Sequence, residues 1–369
     1  MTLNVEPQIL KDEIEAAMSA EAPTSPVESA EAVGLRYVTD DIPGIKRHRS
    51  SKRTFTYVGV DGKTIRSAEE IRRIESLAIP PAYHHVWICP FANGHLQATG
   101  RDAKGRKQYR YHPLWRSIRD QTKFTRMIAF SQSLPDIRRR LDRDLSASGL
   151  PKQKVLAAIV KLMEITRIRV GNEEYAKTNH SYGMTTLHDE HVQISGSKIQ
   201  FQFRGKSGVD HEIEVRDRRL ANIVKRCQEI PGQELFQYIA EDGQPHDVTS
   251  TDVNDYLREI TGHDFTAKDF RTWAGTVLAA SHLVEIGVFT SQTAAKKNIT
   301  QVLKTVAAHL GNRPATCRKY YVHPAVLEAY LDESLQEAMQ KFVGVVAEDN
   351  YALRSDELAV IALLEKVNF

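Results

Sequence analysis

One stretch of the chain reads Gly311-Asn312-Arg313-Pro314-Ala315-Thr316-Cys317-Arg318-Lys319-Tyr320-Tyr321. An amide donor precedes two adjacent phenols there, and Arg169, Lys206 and Arg271 lie upstream. Side chains of these types could attack a phosphodiester without a metal ion. The non-bridging oxygens gain charge during such an attack, so fixed donors aimed at them lower the barrier. Arginine suits this task because its planar fork matches two phosphate oxygens. A lysine, ordinarily near pKa ~10.4, can protonate a leaving alkoxide when neighbouring cations lower that value. A phenol, ordinarily near pKa ~10, needs nearby positive charge to act as a nucleophile. Tyr320 and Tyr321 both qualify by composition, and periodicity does not choose between them.

The elements that must carry these residues follow from local pattern. Val155, Ile159, Leu162 and Ile165 form one stripe of a helix over 153–165, a core face that ends just before Arg169. Strands over 191–194, 199–203 and 212–215 predict a three-stranded antiparallel insert, with Lys206 on its second, Gly-flanked turn. Helices are expected over 217–227, 250–259, 267–285 and 300–310, the third holding Arg271. Gly311 is suited to cap the last, and Pro314 stops its continuation. A further helix is expected over 134–145. Upstream, strands at 55–58, 85–88 and 95–99, with a helix over 67–77, predict a small β-rich domain.

Bulk composition bounds the rest. Of 369 residues, 41% are hydrophobic and 26% charged, ordinary globular values. No apolar run approaches the ~20 residues of a membrane span, and the N-terminus lacks the pattern of a signal peptide. Three distant cysteines form no CxxC pair, which indicates neither a disulfide framework nor a zinc site and suits a reducing cytoplasm. There is no GxxxxGK[ST] loop and no HExxH, so neither ATP use nor a metalloprotease site is indicated. The net charge of +3 conceals segregation: residues 1–35 carry seven acidic residues against one basic, and 325–369 nine against three. The middle holds 46 basic against 31 acidic, a balance that suits a polyanion partner.

These residues together resemble the type IB DNA topoisomerases of the small, poxvirus-like bacterial class. The match lies in Thr166-Arg167-Ile168-Arg169-Val170-Gly171-Asn172-Glu173-Glu174-Tyr175, in Phe203-Arg204-Gly205-Lys206-Ser207-Gly208, in Lys268-Asp269-Phe270-Arg271-Thr272 and in Gly311 through Tyr321. It covers roughly residues 35–330. In the family the active tyrosine lies nine positions after the donor, which selects Tyr321. The resemblance implies catalytic Tyr321, Arg169, Lys206, Arg271 and Asn312, with Lys268 in a proton relay. Residues 100–111 are similar to the family's DNA-facing segment, which implies DNA contacts from Arg106, Gln108, Tyr109 and Tyr111, and from Tyr175 in the other domain. Viral members carry histidine where this chain has Asn312, and lysines where it has Asn172 and Glu174. The latter departure argues against a strong preference for one short target sequence.

The implied architecture is α+β: a two-lobed clamp with a β-rich N-terminal domain over 36–115 and a larger, mainly helical catalytic domain over 116–345, holding the three-stranded insert. Residues 1–35 are expected to form a disordered acidic leader, with some helix around 9–20. Residues 346–369 form an acidic tail with a helix over 355–366, which either packs on the catalytic lobe or competes with DNA for the basic body. The implied activity is relaxation of supercoiled duplex DNA through a 3′-phosphotyrosyl intermediate, by a cytoplasmic, nucleoid-associated monomer that uses no cofactor. Two other readings remain at this stage: a tyrosine recombinase and a non-catalytic DNA-binding clamp. Recombinases usually present His-x-x-Arg where this chain has Lys268-Asp269-Phe270-Arg271.

Overall fold

The computed structural model describes residues 26–50, 55–103, 105, 107–240, 242–342, 344–345 and 349–367, with backbone alone for 26, 28–29, 116–125 and 367. The expected helix around 9–20 and the DNA contact Arg106 lie outside the described residues. The chain divides into two compact units, Met1–Lys123 and Phe124–Phe369.

The first unit is built on a five-stranded antiparallel sheet of order β2-β1-β3-β4-β5. Its strands are β1 (Ile45–Arg49), β2 (Phe55–Val58), β3 (His84–Ile88), β4 (Leu96–Arg101) and β5 (Lys107–Tyr111). The helix Ala68–Ser76 begins where expected: Ser67 Oγ accepts from Glu70 N at 3.3 Å. Its buried Ile74 packs against Ile45, Tyr57, Ile88 and Ala98 of the sheet. Arg73 fastens it further, donating to Gln97 Oε1 (2.9 Å) and to the Cys89 carbonyl (2.8 Å). β1 and β5 are additions to the expected strands, since both are mostly charged or polar and lack an apolar alternation.

The acidic leader is shorter than its composition implies. Residues 1–25 lie outside the described residues, but Pro26–Glu31 is helical, and Ala30 and Leu35 are buried with Trp115. Val33, partly buried, packs against the same cluster.

The second unit is mainly helical. The central helix Lys152–Thr166 extends one residue beyond expectation at each end, with Val155, Ile159 and Leu162 of the expected stripe fully buried but Ile165, in its last turn, exposed. Before it, one helix runs from Pro113 to Leu145, far longer than the expected 134–145. Pro135 lies inside it, where it removes one backbone bond yet is tolerated within a long packed helix. The insert forms as expected, from β6 (Val192–Ser195), β7 (Lys198–Arg204) and β8 (Asp210–Arg216), in the order β6-β7-β8. The helix Gln292–Leu310 starts eight residues earlier than expected, capped by Ser291, whose Oγ accepts from Ala294 N.

The C-terminal helix Ser355–Val367 is part of this core. Ala359, Val360, Leu363 and Leu364 are buried in it, so this stretch is not a tail free to compete for the basic body. A buried charge cluster ties it down. Arg138 Nε donates to Glu164 Oε1 (2.7 Å), its Nη2 to both Glu357 oxygens (2.8 and 3.1 Å) and its Nη1 to the Ala352 carbonyl (2.9 Å). Trp273 Nε1 adds a bond to Glu357 Oε1 at 3.2 Å. Burial alone would raise the Glu164 carboxyl, but Lys161 and Arg138 hold it below the usual carboxylate value. Breaking a buried pair leaves an uncompensated charge. Arg138→Ala is therefore expected to lower stability by about 3–5 kcal/mol in urea unfolding, and a loss under about 1 kcal/mol would reject this role.

Candidate functional site

Four of the expected residues converge where two helices end. The helix Gln292–Leu310 closes with Gly311 in the left-handed region (φ 55°), Gly311 N bonding Ala308 O (3.2 Å) and Asn312 N bonding Ala307 O (2.9 Å). Carbonyls at such an end have no partner within the helix. Here they take guanidiniums: Arg271 Nη2 donates to Leu310 O (2.6 Å) and Arg169 Nη2 to Gly311 O (3.0 Å). Arg271 also donates to the carbonyl of Arg167, the residue that caps the helix Lys152–Thr166 with φ 60°. Arg271 thus joins the C-terminal ends of two helices, where the helix dipole favours a cation.

Asn312 is oriented by the same cations. Arg169 Nη2 donates to Asn312 Oδ1. A guanidinium can only donate, so this contact turns the amide nitrogen the other way. Asn312 Nδ2 is buried with no oxygen or nitrogen acceptor, facing only the weakly accepting Cys317 sulfur. Arg271 Nε is a second buried donor without a partner. Burial lowers the pKa of both arginines, and Arg169 pushes Arg271 down further. Among the described residues neither guanidinium pairs with a carboxylate. Unmatched buried donors beside two cations form a cradle for an anion.

The helix Ala267–Ile286 sets Tyr321 against this cradle. Arg271 Cζ lies 5.4 Å from the Tyr321 ring centroid. One turn on, Thr276 Oγ1 donates to Tyr321 O (3.3 Å) and accepts from His323 N (3.1 Å). Gly275 lets the two backbones touch: a Cβ there would sit 2.5 Å from Tyr321 O. Tyr320, by contrast, is exposed, with Lys319 Nζ 5.2 Å from its ring centroid.

The remaining expected residues are more open. Lys206 is exposed on the β7–β8 turn, its Nζ 6.0 Å from the Tyr175 ring centroid. Tyr175 follows Asn172, whose Oδ1 accepts from Tyr175 N and caps the helix Glu173–Asn179. Lys268 is exposed in the first turn of the helix that carries Arg271. In the first unit, Tyr109 and Tyr111 project from one face of edge strand β5 with rings stacked at 5.9 Å, and Gln108 Nε2 donates to Asp102 Oδ2 (3.1 Å). Sequence reasoning missed Gly275 and Thr276, although a spacing of four and five from Arg271 puts them one helical turn further along. It also missed His211, for which no periodic signal exists.

Gly275→Ala should displace Tyr321 from Arg271. A displacement of about 1 Å is expected to slow any reaction begun at Tyr321 by about a hundredfold. The rate of covalent adduct formation reads this directly, with the melting temperature reporting whether the fold survives.

Residues 112–344 match the model of the eukaryotic DNA topoisomerase I catalytic core, and residues 54–102 match the bacterial DNA topoisomerase IB N-terminal domain. A DNA topoisomerase 1B of Acanthamoeba polyphaga mimivirus is 34% identical over 294 residues, covering 78% of this chain and 87% of the viral protein. The DNA topoisomerase 1B of vaccinia virus (strain Copenhagen) is 22% identical over 245 residues, 66% of this chain and 75% of its own. With its catalytic-core match spanning more than half its length, the chain belongs to the type IB DNA topoisomerase family.

Proposed function

We infer that the chain relaxes supercoiled duplex DNA by cutting and resealing one strand. The observation that carries this reading is the phenol of Tyr321 beside the buried guanidinium of Arg271, whose Nε is unmatched, with half-buried Arg169 and the unmatched Asn312 Nδ2 joined to it through Gly311 and Leu310. Tyr321, its phenolic proton released to water under the charge of Arg271, attacks a backbone phosphorus; the new bond is a 3′-phosphotyrosyl ester, and the bond to the 5′-oxygen breaks. Arg169, Arg271 and Asn312 Nδ2 hold the non-bridging oxygens as they gain charge. Lys206 gives the departing 5′-oxygen its proton, with Lys268 relaying a replacement. The free end swivels under the torsion of the DNA, and the steps reverse. The covalent ester retains the energy of the broken bond, so no nucleotide is consumed.

Both units contribute contacts to the DNA. Edge strand β5 offers stacked Tyr109 and Tyr111 and the amide of Gln108, while Tyr175 contributes from the catalytic side. Arg106 extends the same basic run. The enzyme acts as a monomer on nucleoid DNA in the cytoplasm. The excess of basic residues in the middle of the chain supports this reading and implies salt-sensitive binding.

Tyr321→Phe is expected to abolish the covalent DNA adduct, and Tyr320→Phe to retain it. An adduct surviving in the first variant would reject the assignment. Plasmid relaxation should persist in excess chelator without ATP, because every group assigned to the reaction is a side chain; loss of activity there would point to a metal-dependent route.

A further inference from the structure

His211 has no part in the mechanism above, yet it touches both halves of the machinery. It lies on β8 directly opposite Phe203, and the two rings stack with centroids 4.9 Å apart at 14°. The imidazole edge is wedged between two glycines. A Cβ on Gly205 would lie 2.6 Å from its Cδ2 and Nε2, and one on Gly311 would lie 2.4 Å from its Cε1. Gly205 immediately precedes Lys206. Gly311 is the helix cap whose carbonyl accepts from Arg169, and Asn312 follows it. Burial and then the charges of Arg169 and Arg271 push the His211 pKa below its ordinary value, so the ring is a neutral wedge beside two cations.

The turn carrying Lys206 needs such a support. It is closed by Gly205 N to Val209 O (2.7 Å) and Gly208 N to Gly205 O (3.1 Å), and Ser207 lies in the left-handed region with φ 67°. Those bonds fix the shape of the turn but not its distance from the phosphate cradle. We propose that His211 is a positioning residue: seated between Gly205 and Gly311, it sets the spacing between the lysine hairpin and the Arg169–Asn312 cap and so aims Lys206 at the departing 5′-oxygen. This rests on Lys206 being the proton donor.

A leaving-group substitution tests both statements separately. Single-turnover cleavage is measured on a duplex with an ordinary phosphodiester and on one whose bridging 5′-oxygen is replaced by sulfur, which departs without needing a proton. His211→Ala is expected to slow cleavage about ten- to a hundredfold on the ordinary duplex and by less than about threefold on the sulfur duplex, the signature of a mis-aimed acid. Gly205→Ala keeps the imidazole but drives a methyl into it, and should show the same pattern. It also serves if His211→Ala fails to fold. Equal slowing on both duplexes, or no slowing on either, would overturn the proposal. Lys206→Ala is the reference. If sulfur rescues Lys206→Ala but neither His211→Ala nor Gly205→Ala, the positioning role alone is wrong. Should sulfur fail to rescue Lys206→Ala, the acid assignment falls and the positioning role with it.

Discussion

Two like charges kept close together in a buried place are the constraint on which this site depends. Arg169 and Arg271 repel each other, and burial penalises both. A carboxylate would relieve them, but among the described residues neither has one. Backbone carbonyls are used instead: Leu310 O, Gly311 O and Arg167 O, all at helix C-terminal ends. A carbonyl dipole partly neutralises a cation while leaving the net charge positive. The guanidiniums are held in place and keep their positive charge. Asn312 belongs to the same solution, since Arg169 takes its oxygen and leaves its nitrogen unspent.

Geometry then follows from a single helix. Ala267–Ile286 carries Arg271 in its second turn and, one turn on, the Gly275–Thr276 pair that grips the backbone of Tyr321. The phenol and the cation beside it are therefore placed by one rigid element. Preorganisation of this kind means the donors need not rearrange as charge develops. Lys206 sits instead on a tight turn of a small sheet, and its reach depends on the ring of His211.

Much of this was legible in the residues, for identifiable reasons. The helix Lys152–Thr166 announces itself through its apolar stripe, and the helix Ala68–Ser76 through its cap Ser67 and the glutamates that follow. Motif resemblance singled out Arg169, Lys206, Arg271, Asn312 and Tyr321, although composition alone left Tyr320 and Tyr321 equivalent. What stayed hidden depends on partners distant in sequence. The start of Pro113–Leu145 carries no regular stripe, and β1 and β5 read as charged loops because their strand character comes from the neighbours that bond to them. His211 matters only because Gly311, a hundred positions further on, comes to rest against it. The acidic C-terminal segment misled by its charge: one of its glutamates, Glu357, is buried between Arg138 and Trp273.

That last contact ties the end of the chain to the helix bearing Arg271. Glu357 is translated well after Tyr321, and Trp273, which it bonds, lies two residues from Arg271. A chain that stopped short of Glu357 would lack the carboxylate that pairs with Arg138 and bonds Trp273 on the helix bearing Arg271. Loss of Ser355–Val367 would therefore disturb the surroundings of Arg271 from the far end of the sequence.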